Sequence, residues 1–255
     1  VNIAFTKPQS DQRRHGPVRG RASQLAAALA RIDARVAAAA LAGVIAALGV
    51  LGALFLEDNS YGDACRCWSA RGGLGEFNLD GEFTISAAVA ALLLGAAGAL
   101  AVVAAAVDRL AARRRALACL GVFLAFMALD EIAALHEKLE GRLGVDWQVL
   151  YAPVVLIGGV CFVFVLLGAR RFERRRSAVL LCLGAVAWLL AQMVEELQWD
   201  GDTLLHPWTI VPEETLELAG SALFVLGLLG VLDALTATRH PSAPRRRAAA
   251  VRGHS

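Results

Sequence analysis

The chain has 255 residues, 57% of them apolar and 19% charged, and 25 Lys and Arg against 23 Asp and Glu leave a formal net charge of +2. That composition would suit a large soluble domain only if the apolar residues were dispersed. They are gathered into six long runs, which excludes that class and marks an integral membrane protein.

Taken in chain order, the first 33 residues are polar and carry Lys7, Arg13, Arg14, Arg19, Arg21 and Arg31. They precede a first apolar run, Val36 to Leu56, whose length of about 21 residues exceeds a signal-peptide core and predicts a retained helix. The Glu57 to Thr84 loop follows, with Cys65 and Cys67. Their Cys-x-Cys spacing allows only a strained local disulfide and fits no standard zinc pattern. The later runs are Ile85 to Val107, Ala116 to Leu129, Val149 to Ala169, Ser177 to Val194 and Leu218 to Leu232. Four of the six reach about 18 residues without a charge; the third and sixth span hydrocarbon only when their terminal carboxylates are included. Small residues such as Leu94-Gly95-Ala96-Ala97-Gly98 favour close helix approach, Pro153 marks an early bend in the fourth helix, and Cys119, Cys161 and Cys182 read as packing residues.

Backbone groups in lipid must be paired within their own segment, so each run is expected to be an α-helix and the fold an all-α, six-transmembrane-helix bundle. The expected organisation is a basic amino-terminal arm (residues 1–35), the membrane domain (36–236) and a basic, disordered tail (237–255).

Charge sets the expected orientation. With both termini in the cytoplasm, only Arg66, Arg71, Lys138 and Arg142 of the 25 basic residues fall outside, as the positive-inside tendency requires. Eighteen of the 23 acids then lie outside or at the outer membrane edge, because only Asp11, Asp33, Asp108, Glu173 and Asp233 are inside. The inner face suits anionic lipid and the outer face suits cations. Nucleic acid is not an expected partner, since the basic loops are short, scattered and lack interleaved aromatics.

The acids at the outer helix ends are the candidate site. On a continuous third helix, at about 100° per residue, Asp130 and Glu137 lie nearly over one another, with His136 across a broad arc and Ala133 between them. Glu131 points toward the face of Lys138 and ranks lower. The fifth helix gathers Trp188, Gln192, Glu195, Glu196 and Trp199 on one side, and the sixth gathers Glu213, Glu214 and Glu217 above Gly220 and Ser221. Ionisable groups at such depth are costly and mark functional sites by default, Asp130 and Glu217 above all. The expected ligand set is Asp130, His136, Glu137, Glu195, Glu214 and Glu217 around a divalent metal ion or protons, with oxygen donors favouring Ca²⁺, Mg²⁺ or Mn²⁺ and His136 admitting Zn²⁺ or iron. The competing reading is solvated helix ends, with Trp147, Tyr151, Trp199 and Trp208 as an interfacial aromatic belt and His206 in a solvated loop.

The run Leu129-Asp130-Glu131, four residues, His136-Glu137, followed by Glu195-Glu196 and by Glu213-Glu214-x-x-Glu217, resembles a group of uncharacterised bacterial multi-pass membrane proteins over roughly residues 36–236. The resemblance implies a six-helix protein of the bacterial plasma membrane and brings no activity with it. The ceramidase-like superfamily of intramembrane metal-dependent hydrolases is an analogy only: no helix here has a His-x-x-x-His pair, the helices are fewer, and His136 alone is placed to serve.

Three functions follow from the sequence. The first is a membrane protein with a carboxylate and histidine cluster binding a divalent cation or protons at the extracytoplasmic edge. The second is a structural or accessory subunit without metal, whose acids meet a partner's basic groups. The third is a metal-dependent hydrolase of a lipid-like substrate with Glu137 as general base.

Overall fold

The computed structural model describes residues 17–55, 84–171, 175–200, 203–204 and 207–237. Cys65, Cys67, His206 and the tail lie outside the described residues, as does the side chain of Glu137. The described helices are α1 (Pro17–Leu29), α2 (Ala34–Phe55), α3 (Ile85–Val107), α4 (Ala111–Ala133), α5 (Leu135–Leu143), α6 (Trp147–Arg171), α7 (Arg175–Gln198) and α8 (Ile210–Ala237). A two-residue hairpin, Trp199–Asp200 paired with Thr203–Leu204, and a 3₁₀ turn at Pro207–Thr209 join α7 to α8.

Six of these helices, α2, α3, α4, α6, α7 and α8, are long and apolar enough to cross a membrane. The chain is an all-α, multi-pass membrane protein. Each predicted run lies within one of these helices to within a residue, but several helices run on into charged residues beyond their runs. α4 begins at Ala111 and takes in Arg113, Arg114 and Arg115, while α8 begins at Ile210 and takes in Glu213 and Glu214. Charged end turns belong to these helices because intrahelical hydrogen bonding continues past the apolar stretch.

Helix α8 lies at the centre, packed against α7, α3, α2 and α1, whereas α4 packs on α3 and α6. Glycine sets these contacts. Where α3 crosses α4, a β-carbon on Gly98 would stand 2.9 Å from the Gly121 carbonyl oxygen, and one on Gly121 would stand 2.9 Å from that of Gly98. The two backbones therefore touch through paired glycines. Along α7 and α8 the fit is a notch-and-peg series: Ser177 and Leu181 fill the spaces over Gly230 and Gly227, Phe224 fills that over Gly184, and Trp188 fills that over Gly220. Steps of three and four residues on both helices keep these contacts on one antiparallel seam.

The segment read as an arm contains α1, which packs on α3 and α8 and buries Ala26 completely beside the main core. At the same end, buried Asp108 stops α3: its carboxylate accepts from Leu110 N (2.9 Å) and from both Nε and Nη2 of Arg113 on α4. This forked pairing satisfies a charge that is 1% exposed and ties the α3–α4 turn to its own helix.

Candidate functional site

Asp130 lies near the end of α4 and is 5% exposed. The helix does not run on to Glu137. Ala134 takes a left-handed conformation (φ 46°, ψ 49°), ending α4 and starting α5 in a new direction. That break corrects the reading of Asp130, His136 and Glu137 as points on one helical wheel. Its physical reason is the set of bonds it permits. Asp130 Oδ1 accepts from the His136 backbone N (3.0 Å) and from Tyr151 Oη (2.7 Å), and Oδ2 lies 2.9 Å from His136 Nδ1. Lys138 Nζ closes the joint by donating to the Ala133 carbonyl. Ala134 offers no side-chain cap for α5, so the buried carboxylate of Asp130, from the preceding helix, does that work.

Tyr151 and Trp147 stand one turn apart on α6 and complete the setting. The Trp147 ring lies 5.4 Å from the His136 ring and 5.9 Å from that of Tyr151, which in turn lies 5.4 Å from Phe126. Trp147 also hydrogen-bonds Glu195 on α7. Both aromatics read from sequence as belt residues, yet Tyr151 is 4% exposed and holds a carboxylate. Their spacing of four residues at a helix start was the available signal, since it puts both on the face that meets α4.

From Glu195 the polar contacts continue along the α7–α8 seam. Gln192 hydrogen-bonds Glu195 and donates to Glu217 Oε1 at 3.3 Å. Deeper in the helices, Trp188 Nε1 donates to Ser221 Oγ at 3.2 Å, and nearer their ends buried Gln198 donates to Glu213. Glu131, Glu195 and Glu213 are like-charge neighbours of Glu217. Glu131 thus lies closer to the other acids than its place on the helical wheel suggested.

The structure brings Asp130 and His136 together directly and joins Glu195 to Glu217 through Gln192. It does not gather the expected ligand set around one centre. Among the described residues, no group of three or more His, Cys, Asp and Glu side chains could hold a metal ion. That finding overturns the reading of a carboxylate and histidine cluster that binds a divalent cation at this edge. The reason is visible in the bonds: the carboxylates of Asp130, Glu195, Glu213 and Glu217 lie on three helices and each meets donors of the protein itself, on α5, α6 and α7.

A family model described as "Domain of unknown function (DUF8692)" matches residues 36–232, from the start of α2 to near the end of α8. The chain belongs to this family. The matched stretch holds four spans whole, most of the first and last, and the whole polar seam, so the seam is part of the DUF8692 domain and not an appendage to it. No curated protein and no solved structure matches the chain.

Proposed function

We propose that this DUF8692 chain is a structural or accessory subunit of a membrane assembly, built without a metal centre. The observation that carries the reading is the use of the inward acids: buried Asp130 spends both oxygens on His136 and Tyr151, and the half-buried Glu195 and Glu217 are bonded by side chains of α6 and α7. Such bonds fix helices against each other. The exposed acids at the same end, Glu140, Asp146 and Glu196, are the groups offered to a partner's basic residues.

In this proposal the carboxylate end faces out of a bacterial plasma membrane and both termini are cytoplasmic. Support comes from the distribution of Lys and Arg, of which only four of 25 fall at the carboxylate end, and from the sequence resemblance. The membrane domain spans 36–236, in keeping with the family match, with a basic arm before it and a basic tail after it. Arg109, Arg114, Arg115, Arg175 and Arg176 are exposed at the cytoplasmic end, where anionic headgroups would meet them.

The test is metal analysis with native mass spectrometry of the protein extracted in mild detergent, for wild type, Asp130→Asn and Glu217→Gln. The expected result is one metal content in all three and a wild-type mass above that of a single 26.9 kDa chain. Stoichiometric metal that both substitutions abolish would defeat the reading, as would a solitary chain with no associated subunit.

A further inference from the structure

α5 joins two spans and, at nine residues, crosses nothing itself. α4 has 23 residues, enough at about 1.5 Å each to bring its end at Ala133 to the edge of a hydrocarbon layer about 30 Å thick, and α6 re-enters from Trp147. Contacts to both spans hold α5 at that level. The His136 ring lies 5.4 Å from the Trp147 ring, the Glu140 carboxylate accepts from Trp147 N at 3.4 Å, and Lys138 donates back to the Ala133 carbonyl. His136 and Glu140 therefore turn one face of α5 to α6, and the leucines occupy the next. Leu135, Leu139 and Leu143 fall within about 80° of arc, with Leu139 and Leu143 exposed. Arg142 and Lys138, both exposed, border that stripe on the side away from Glu140, and Gly141 lies on the reverse of the helix.

We propose that α5 is a lipid-docking surface, lying in the headgroup layer at the carboxylate end with Leu139 and Leu143 set into the upper acyl chains and Arg142 and Lys138 on phospholipid phosphates. Two observations choose phospholipid as the occupant. Exposed apolar side chains continue from Leu129 and Ile132 at the end of α4, through Leu139 and Leu143, to Val145 and Val149 at the start of α6, so the stripe extends the surface that the spans show to lipid. Charge is the second. Among the described residues, Lys138 and Arg142 are the Lys and Arg of this acid-rich end, and both stand beside the leucines, where an interfacial helix needs cations to meet phosphate. The Arg142 guanidinium matches phosphate oxygens in pairs, and the Lys138 ammonium has three donors, enough to serve both the Ala133 carbonyl and a headgroup. Their apolar stems lie along the same boundary.

The experiment uses the full chain, one copy to a phosphatidylcholine nanodisc, carrying Leu139→Cys, Leu143→Cys or Gly141→Cys singly and exposed to a charged, water-confined maleimide. Peptide mass spectrometry reads each site apart from the native thiols. Labelling is expected at Gly141→Cys, where an added β-carbon meets open space, and is expected to be lost at the two leucine sites. Adding Arg142→Glu to Leu143→Cys is expected to restore labelling there, because a carboxylate repels lipid phosphate. In the unsubstituted chain, photolysis with a phosphatidylcholine that bears a diazirine high on its acyl chain is expected to leave lipid adducts on Leu139 and Leu143. Absence of adducts from α5, labelling that does not distinguish Gly141→Cys from the leucine sites, or protection that persists with Arg142→Glu would overturn the proposal.

Discussion

Ala134 adopts a backbone conformation that costs an L-residue about 1–2 kcal/mol. Ala134→Gly removes that cost at the expense of about 0.4–1 kcal/mol of extra unfolded-state entropy, so the substitution is expected to be neutral or stabilising by up to about 1 kcal/mol. In an unbroken helix the same change would destabilise by about 1 kcal/mol. Thermal unfolding in detergent distinguishes the two by sign. The joint was not legible in the sequence, because Ala133-Ala134-Leu135 carries the strongest helix formers and no glycine or proline. What ends the helix is a tertiary event, the closing of Asp130 on His136 and Tyr151, and no local pattern encodes it. The acids themselves were legible, since carboxylates at the ends of apolar runs stand out. Their partners were not, because Tyr151 and Gln192 are ordinary interfacial and helical residues until the packing is known.

The helices were legible for a simpler reason: a run of about 18 uncharged residues has one way to satisfy its backbone in lipid. Their ends were not, as Arg113 to Arg115 and Glu213 to Glu214 show, since charge ends an apolar run without ending a helix. The pairing of helices rests on glycines that look interchangeable in sequence and differ in what they touch. Gly121→Ala would drive a methyl against the Gly98 carbonyl and Val102, and is expected to destabilise by about 1–3 kcal/mol. Gly159→Ala has open space and is expected to be neutral or to stabilise by up to about 1 kcal/mol. Comparing the two unfolding midpoints in one detergent checks the α3–α4 contact without an absolute reference. Gly184→Leu, whose side chain would collide with Phe224 and the Gly220 carbonyl, is expected to separate α7 from α8 and to lower the midpoint further than Gly121→Ala.

At the scale of the molecule, polar bonds are concentrated at one end of the bundle and run from the α4–α5 joint through α6 and α7 to α8. The opposite end is closed by Asp108 and Arg113 and by α1 docked over α3 and α8. Between them the spans touch chiefly through small residues and apolar side chains. A seam of this kind gives rigidity only while its bonds are complete, and each buried donor or acceptor left unmet costs about 1–3 kcal/mol. The central claim is that Asp130 acts as a joint between helices through its own protein partners. Its most direct test is a double-mutant cycle of Asp130→Ala and Tyr151→Phe, read from unfolding in detergent treated with a chelator. The account expects a coupling energy of about 1 kcal/mol or more, with Asp130→Ala the more damaging single change. Additive effects, or a loss of stability on chelation that either substitution abolishes, would contradict it.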